Sequence, residues 1–71
     1  MILKYATNGE QFRKEAREYV INMTGEKKKL HLKCGCYWSR YLHKYYDFDN
    51  LLEAKNCGVE STLCGHCFKD R

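Results

Sequence analysis

The apolar positions of this chain follow two different periods. Ile2, Leu3, Tyr5 and Ala6, interrupted only by Lys4, predict a short strand. Thr7 stands three residues before Glu10, the spacing of a capping box in which the threonine oxygen takes an orphan amide and the glutamate reaches back. Phe12, Ala16, Tyr19, Val20 and Met23 then recur at helical spacing. Arg13, Lys14, Glu15, Arg17 and Glu18 fill the opposite side, and Gly25 suits the position just past a helix end. This pattern predicts one amphipathic helix over residues 8–23.

The second half changes period. Lys27, Lys28 and Lys29 read as a solvated turn leading into Leu30-His31-Leu32-Lys33, which alternates like a strand. The aromatic density of residues 37–46 favours a strand pairing back on residues 28–33, with a helix as the open alternative. Residues 47–56 read as a short helix whose start is marked by Asp47 and Asp49 and whose end is marked by Gly58. Ser61 to Arg71 is an extended tail around Cys64-Gly65-His66-Cys67. The expected architecture is α+β: one amphipathic helix packed on a small antiparallel sheet. Without proline, repeat or linker, residues 1–71 read as a single small domain.

Length makes the cysteines informative. A 71-residue chain buries only about 60% of its unfolded surface, so its core needs a staple such as a metal or disulfides. Five cysteines supply the material for one. No apolar run is long enough to cross a membrane, and Met1 to Tyr5 lacks the form of an export leader. The expected compartment is therefore the reducing cytoplasm, where clustered cysteines point to metal rather than disulfides. The formal net charge is +4, and four thiolates around one Zn²⁺ would bring it to about +2. That balance permits a nucleic-acid partner without requiring one.

The chemistry concentrates in Cys34-Gly35-Cys36 and Cys64-Gly65-His66-Cys67. Zinc takes four nitrogen or sulfur ligands at tetrahedral corners, and two short pairs joined by a folded loop provide them. Glycine after the first cysteine of each pair allows a tight turn. The expected ligands of a single zinc ion are Cys34, Cys36, Cys64 and Cys67, with His31 and Cys57 as alternates. Cys57 also fits the part of a small buried side chain. An iron–sulfur cluster would accept the same four thiolates. The Cys64-Gly65-His66-Cys67 segment resembles the knuckle of zinc ribbons and treble clefs. Only Phe68 to Arg71 follow, too few for the closing helix of a treble clef, so the resemblance implies a ribbon-like C-terminal half.

Cys-Gly-His-Cys is also similar to the active-site tetrapeptide of protein disulfide isomerase-type oxidoreductases. Such a motif needs a helix after it to lower the pKa of its first cysteine, and here too little chain remains for one. A thiol redox protein using Cys64 and Cys67 stands as a third reading. No glycine-rich phosphate loop and no nucleophile elbow occur, so the chain reads as non-enzymatic, with no small-molecule substrate.

The remaining signal is aromatic and basic. Tyr37, Trp38, Tyr41, Tyr45, Tyr46 and Phe48 cluster, with Arg40 and Lys44 among them and Lys27, Lys28 and Lys29 upstream. Rings on a sheet stack unpaired bases while cations track phosphates. The leading expectation is a regulatory zinc-binding module for nucleic acid, single-stranded by preference. Lys27, Lys28, Lys29, Arg40 and Lys44 would meet phosphates, and Trp38 and Tyr41 would stack. The same residue types dominate protein hot spots, so the alternative is an interaction module or inhibitor, of the kind a bacteriophage encodes, docking on a larger protein machine in a host cytoplasm.

Overall fold

A computed structural model describes residues 2–33, 35 and 37–68; of Tyr37 and Trp38 it describes the backbone alone. Cys34 and Cys36, the first expected ligand pair, lie outside the described residues, as does the Trp38 side chain. Among the described residues the fold is α+β: a five-stranded mixed sheet with two short α-helices. The strands are β1 (Lys4–Tyr5), β2 (Tyr19–Asn22), β3 (Lys29–Leu32), β4 (Lys44–Phe48) and β5 (Thr62–Leu63), in the order β1-β4-β2-β3-β5. Three neighbouring pairs are antiparallel and β3–β5 is parallel, so the sheet is not the wholly antiparallel one expected.

The largest correction concerns the first helix. Helix α1 covers only Gly9–Glu15, and Tyr19–Asn22 is the central strand β2. Tyr19, Val20 and Ile21 form an unbroken apolar run, the mark of a strand buried on both faces. Val20 packs with Ala6, Phe12, Ala16, Leu42 and Tyr45 on the face covered by α1. Ile21 packs with Leu30, Phe48 and Ala54 on the face covered by the second helix, α2 (Leu51–Lys55). A helix would have set Ile21 about 100° from Val20, on the polar side of the expected apolar stripe, and burying each is worth about 1.5–3 kcal/mol. Gly25 accordingly lies in the β2–β3 connection and ends no helix.

The cap of α1 is displaced by one residue from the expected box. Asn8 is the N-cap, and its side chain accepts from the Gln11 amide at 2.8 Å. Gln11 Oε1 in turn accepts from both the amide and the hydroxyl of Thr7, each at 2.8 Å. The far end of α1 is closed from β3: Lys33 Nζ donates to the Arg13 and Ala16 carbonyls at 3.0 and 2.7 Å, satisfying groups that a helix end leaves exposed.

Residues 37–46 divide between two elements. Tyr37–Arg40 is a 3₁₀ turn, and β4 begins only at Lys44. Strand β4 pairs with β1 and β2, and β2 separates it from β3, so it does not return onto residues 28–33. The helix expected at 47–56 contracts to Leu51–Lys55, capped by Asn50, whose side chain accepts from the Glu53 amide at 2.8 Å. Gly58 follows with φ +90°, a backbone that favours glycine.

Asp47 is therefore a strand residue. Its side chain is buried and takes hydrogen bonds from Lys4 Nζ and the Arg17 amide, both at 3.0 Å. The Arg17 guanidinium donates to the Asp47 carbonyl at 3.0 Å and to Asp49 at 3.0 Å. Burial works against the Asp47 charge, but the Lys4 and Arg17 contacts outweigh it and hold the carboxyl below its ordinary pKa. This hub ties β1, the α1–β2 connection and β4 together. Among the described residues no helix is long and apolar enough to cross a membrane.

Candidate metal centre

Strand β3 places its residues alternately on the two sheet faces. Leu30 points to the α2 side, and His31 shares the other face with Val20, its partner in register. Strand β5 runs parallel to β3 with Leu30 opposite Leu63, and the Cys64 amide donates to the Leu30 carbonyl at 3.0 Å. That pairing delivers Cys64 beside His31. The chain then turns through residues 65–68, with the Phe68 amide donating to the Cys64 carbonyl at 2.9 Å. The turn brings Cys67 back over the same spot. Phe68 leaves on the other side of the sheet, where its ring stacks with Tyr19 at 6.4 Å between centroids.

The outcome is a cluster of His31, Cys64 and Cys67 whose ligand atoms all lie within 4.8 Å of one another. All three residues are buried. His31 Nδ1 is 3.5 Å from Cys67 Sγ. A tetrahedral zinc with ordinary Zn–N and Zn–S bonds sets its nitrogen and sulfur ligands about 3.6 Å apart, and two sulfurs about 3.8 Å apart. The cluster has the dimensions to hold a metal ion after a small contraction. Burial, with the nearby Lys29 charge, lowers the His31 pKa and favours the neutral imidazole that a metal requires.

The surroundings of Cys67 fit a ligand sulfur. The Cys67 thiol donates to the Leu32 carbonyl and to the Ser39 hydroxyl, each at 3.7 Å; Ser39 is fully buried, and its hydroxyl can turn to donate once the sulfur is deprotonated. A hydroxyl beside a thiolate orients it and supports its charge. Gly35 packs against the same sulfur: a Cβ there would stand 3.1 Å from Cys67 Sγ and 2.8 Å from Leu32 Cβ. Glycine is required at this position by space, and the Gly35 amide anchors the approach by donating to the Leu32 carbonyl at 2.8 Å. The residue between Cys34 and Cys36 is thus part of the wall of the site.

The other expected residues are distributed as follows. Cys57 is half-buried on the α2 side of the sheet and packs with the Ile21 cluster, apart from the His31 cluster. His66 is exposed, as its place inside the knuckle implied. Lys27, Lys28 and Lys29 line an open hollow of about 510 Å³ facing Ser61 and Thr62. Lys27 and Lys29 also border a second hollow of about 350 Å³ that reaches His31, Cys64 and His66. Neither Arg40, Tyr41 nor Lys44 lines these hollows. Arg40 is exposed, with its carbonyl accepting from the Arg13 guanidinium at 3.2 Å. The Tyr41 hydroxyl is committed to the Ala6 carbonyl at 3.0 Å. Lys44 opens β4 opposite Tyr5.

Sequence reasoning overlooked Ser39 and the spacing function of Gly35. Neither carries a local signal; both were findable only once Cys67 was placed. It also overlooked Tyr5, which is 57% exposed and meets the His43 ring edge-on at 6.0 Å. No protein-family model matches this chain, and no curated protein and no solved structure is significantly similar to it.

Proposed function

We propose that the chain is a zinc-stapled, non-enzymatic module that binds single-stranded nucleic acid. The observation that carries this reading is the convergence of His31, Cys64 and Cys67 beside the Lys27–Lys29 turn. His31, Cys64 and Cys67 supply three ligands, and we assign the fourth to Cys34 or Cys36, since a Cβ added to Gly35 between them would stand 3.1 Å from Cys67 Sγ. Four protein ligands close the coordination sphere, leave no position for a reacting water, and make the ion structural. The sheet edge then has a ribbon-like role, one knuckle and one strand end clamped on a common ion. Burial of Cys64 and Cys67 favours this over thiol exchange, which needs an accessible thiolate.

Nucleic acid is favoured as partner because the hollow at the metal corner is bordered by Lys27 and Lys29, and the hollow beside it by Lys27, Lys28 and Lys29 with one acidic residue, Glu60. Arg40, Tyr41 and Lys44 lie apart from this corner, at the 3₁₀ turn and the start of β4, where the exposed Tyr5 ring adds a stacking face. Binding of a labelled single-stranded oligonucleotide across a salt series tests the reading. Three lysine–phosphate contacts predict a slope of log affinity against log salt of about −2. Absence of binding at low salt refutes nucleic acid as the partner, and a salt-insensitive complex with a protein would support the docking alternative.

A further inference from the structure

We propose that metal occupancy at the His31 corner decides whether a phosphate-binding trench exists on this protein, and that the trench takes the phosphodiester backbone of a single strand. The inference rests on the nucleic-acid reading above and adds how that binding is controlled.

The two hollows share Lys27 and Lys29 and adjoin at the β3–β5 edge, and we take them together as one trench. One wall is the β2–β3 turn, which belongs to the body of the sheet. The other wall is the segment from Glu60 to His66, which offers the Ser61 and Thr62 hydroxyls and the His66 ring toward the lysines. Its charge balance suits a phosphate, with Lys27, Lys28 and Lys29 opposed by Glu60 alone among the lining acids.

The second wall is weakly attached. Strand β5 has two residues, both exposed, so burial contributes little to holding it. Its backbone is held by the short β3–β5 ladder, flanked by the Thr62 amide to the Lys28 carbonyl at 3.1 Å and the Cys64 amide to the Leu30 carbonyl at 3.0 Å. A two-residue ladder, with a modest net gain per hydrogen bond, is a small hold on a segment whose every residue costs entropy to order. Cys64 and Cys67 are its buried anchors, and both face His31. A metal bound there pins the wall, and its loss frees the wall. The β1-β4-β2-β3 body keeps its own two apolar clusters, one on each face.

The test is fluorescence anisotropy of a labelled oligouridylate with the zinc-loaded full chain, the same protein after chelation under reducing conditions, and the zinc-loaded Lys27→Glu/Lys29→Glu variant. Amide spectra of each sample report on the body. Chelation and the double substitution should each weaken binding at least tenfold, with body resonances retained on chelation and zinc stoichiometry retained in the variant. Binding that survives chelation overturns metal control, and so does loss of the body resonances together with binding. Binding that survives the double substitution overturns the trench. Zinc-loaded protein that binds no oligouridylate at low salt overturns the functional reading itself.

Discussion

Asp47 and His31 occupy one row of the sheet, on either side of Val20. Both are buried polar residues on the face that α1 covers, yet the chain treats them differently. Asp47 is served by donors from its own chain: Lys4, the Arg17 backbone and the Arg17 guanidinium surround it. His31 faces two cysteine sulfurs, a donor set made for a cation. One centre gathers cationic and backbone donors around a carboxylate, and the other gathers ligand atoms at a spacing that could hold a metal ion. A buried polar group must be satisfied either way, because leaving one unmet costs about 1–3 kcal/mol.

The sharpest way to separate the two centres is to remove the ion. With free zinc about 1,000 times its Kd, zinc binding should raise unfolding stability by about 4 kcal/mol, and Cys67→Ala should abolish that increment. Denaturant unfolding with and without zinc measures both. Asp47→Ala should cost about 2–3 kcal/mol whether or not zinc is present, less than a fully enclosed pair because Lys4 and Arg17 keep contact with water. An Asp47 effect that depended on zinc would merge the two centres into one.

Acid should attack the Asp47 centre in a defined window. Its folded pKa lies below the ordinary aspartate value, so its contribution is complete above about pH 4 and drains away as pH falls through that value toward the lower folded one. Metal-free protein titrated by circular dichroism should show this loss, and Asp47→Asn should remove that part of the slope. Gly35→Ala should lower zinc affinity about tenfold through the wall against Cys67, and should also cost about 1–3 kcal/mol of metal-free stability through the clash with Leu32. Competition with a chromophoric chelator reads that difference. The smallest effect belongs to Tyr45→Phe. The Tyr45 hydroxyl is buried with no hydrogen-bond partner among the described residues, so its removal should be neutral or stabilise by up to about 1 kcal/mol in thermal unfolding.

The two centres also differ in how far the sequence announces them. Cys64-Gly65-His66-Cys67 is a local spacing, and its chemistry is readable before any fold is known. Asp47 gives no such sign, because Lys4 and Arg17 reach it from distant points of the chain through the β1–β4–β2 pairing. The α+β class was legible, as were the strands at Lys4–Tyr5 and Lys29–Leu32. The central strand was not: Phe12, Ala16, Tyr19, Val20 and Met23 keep helical spacing by coincidence, and only burial on both faces makes Tyr19–Asn22 extended. His31 was readable as an alternate ligand, but its place in the cluster depends on the parallel β3–β5 register, which no local pattern encodes.

Zinc-edge X-ray absorption of the reduced, reconstituted full chain tests the central claim most directly. The account predicts one zinc per chain with sulfur at about 2.3 Å and one imidazole nitrogen at about 2.0 Å. A shell of four sulfurs without imidazole, or zinc bound by water and carboxylate oxygen alone, would contradict the assignment of His31, Cys64 and Cys67 as its ligands.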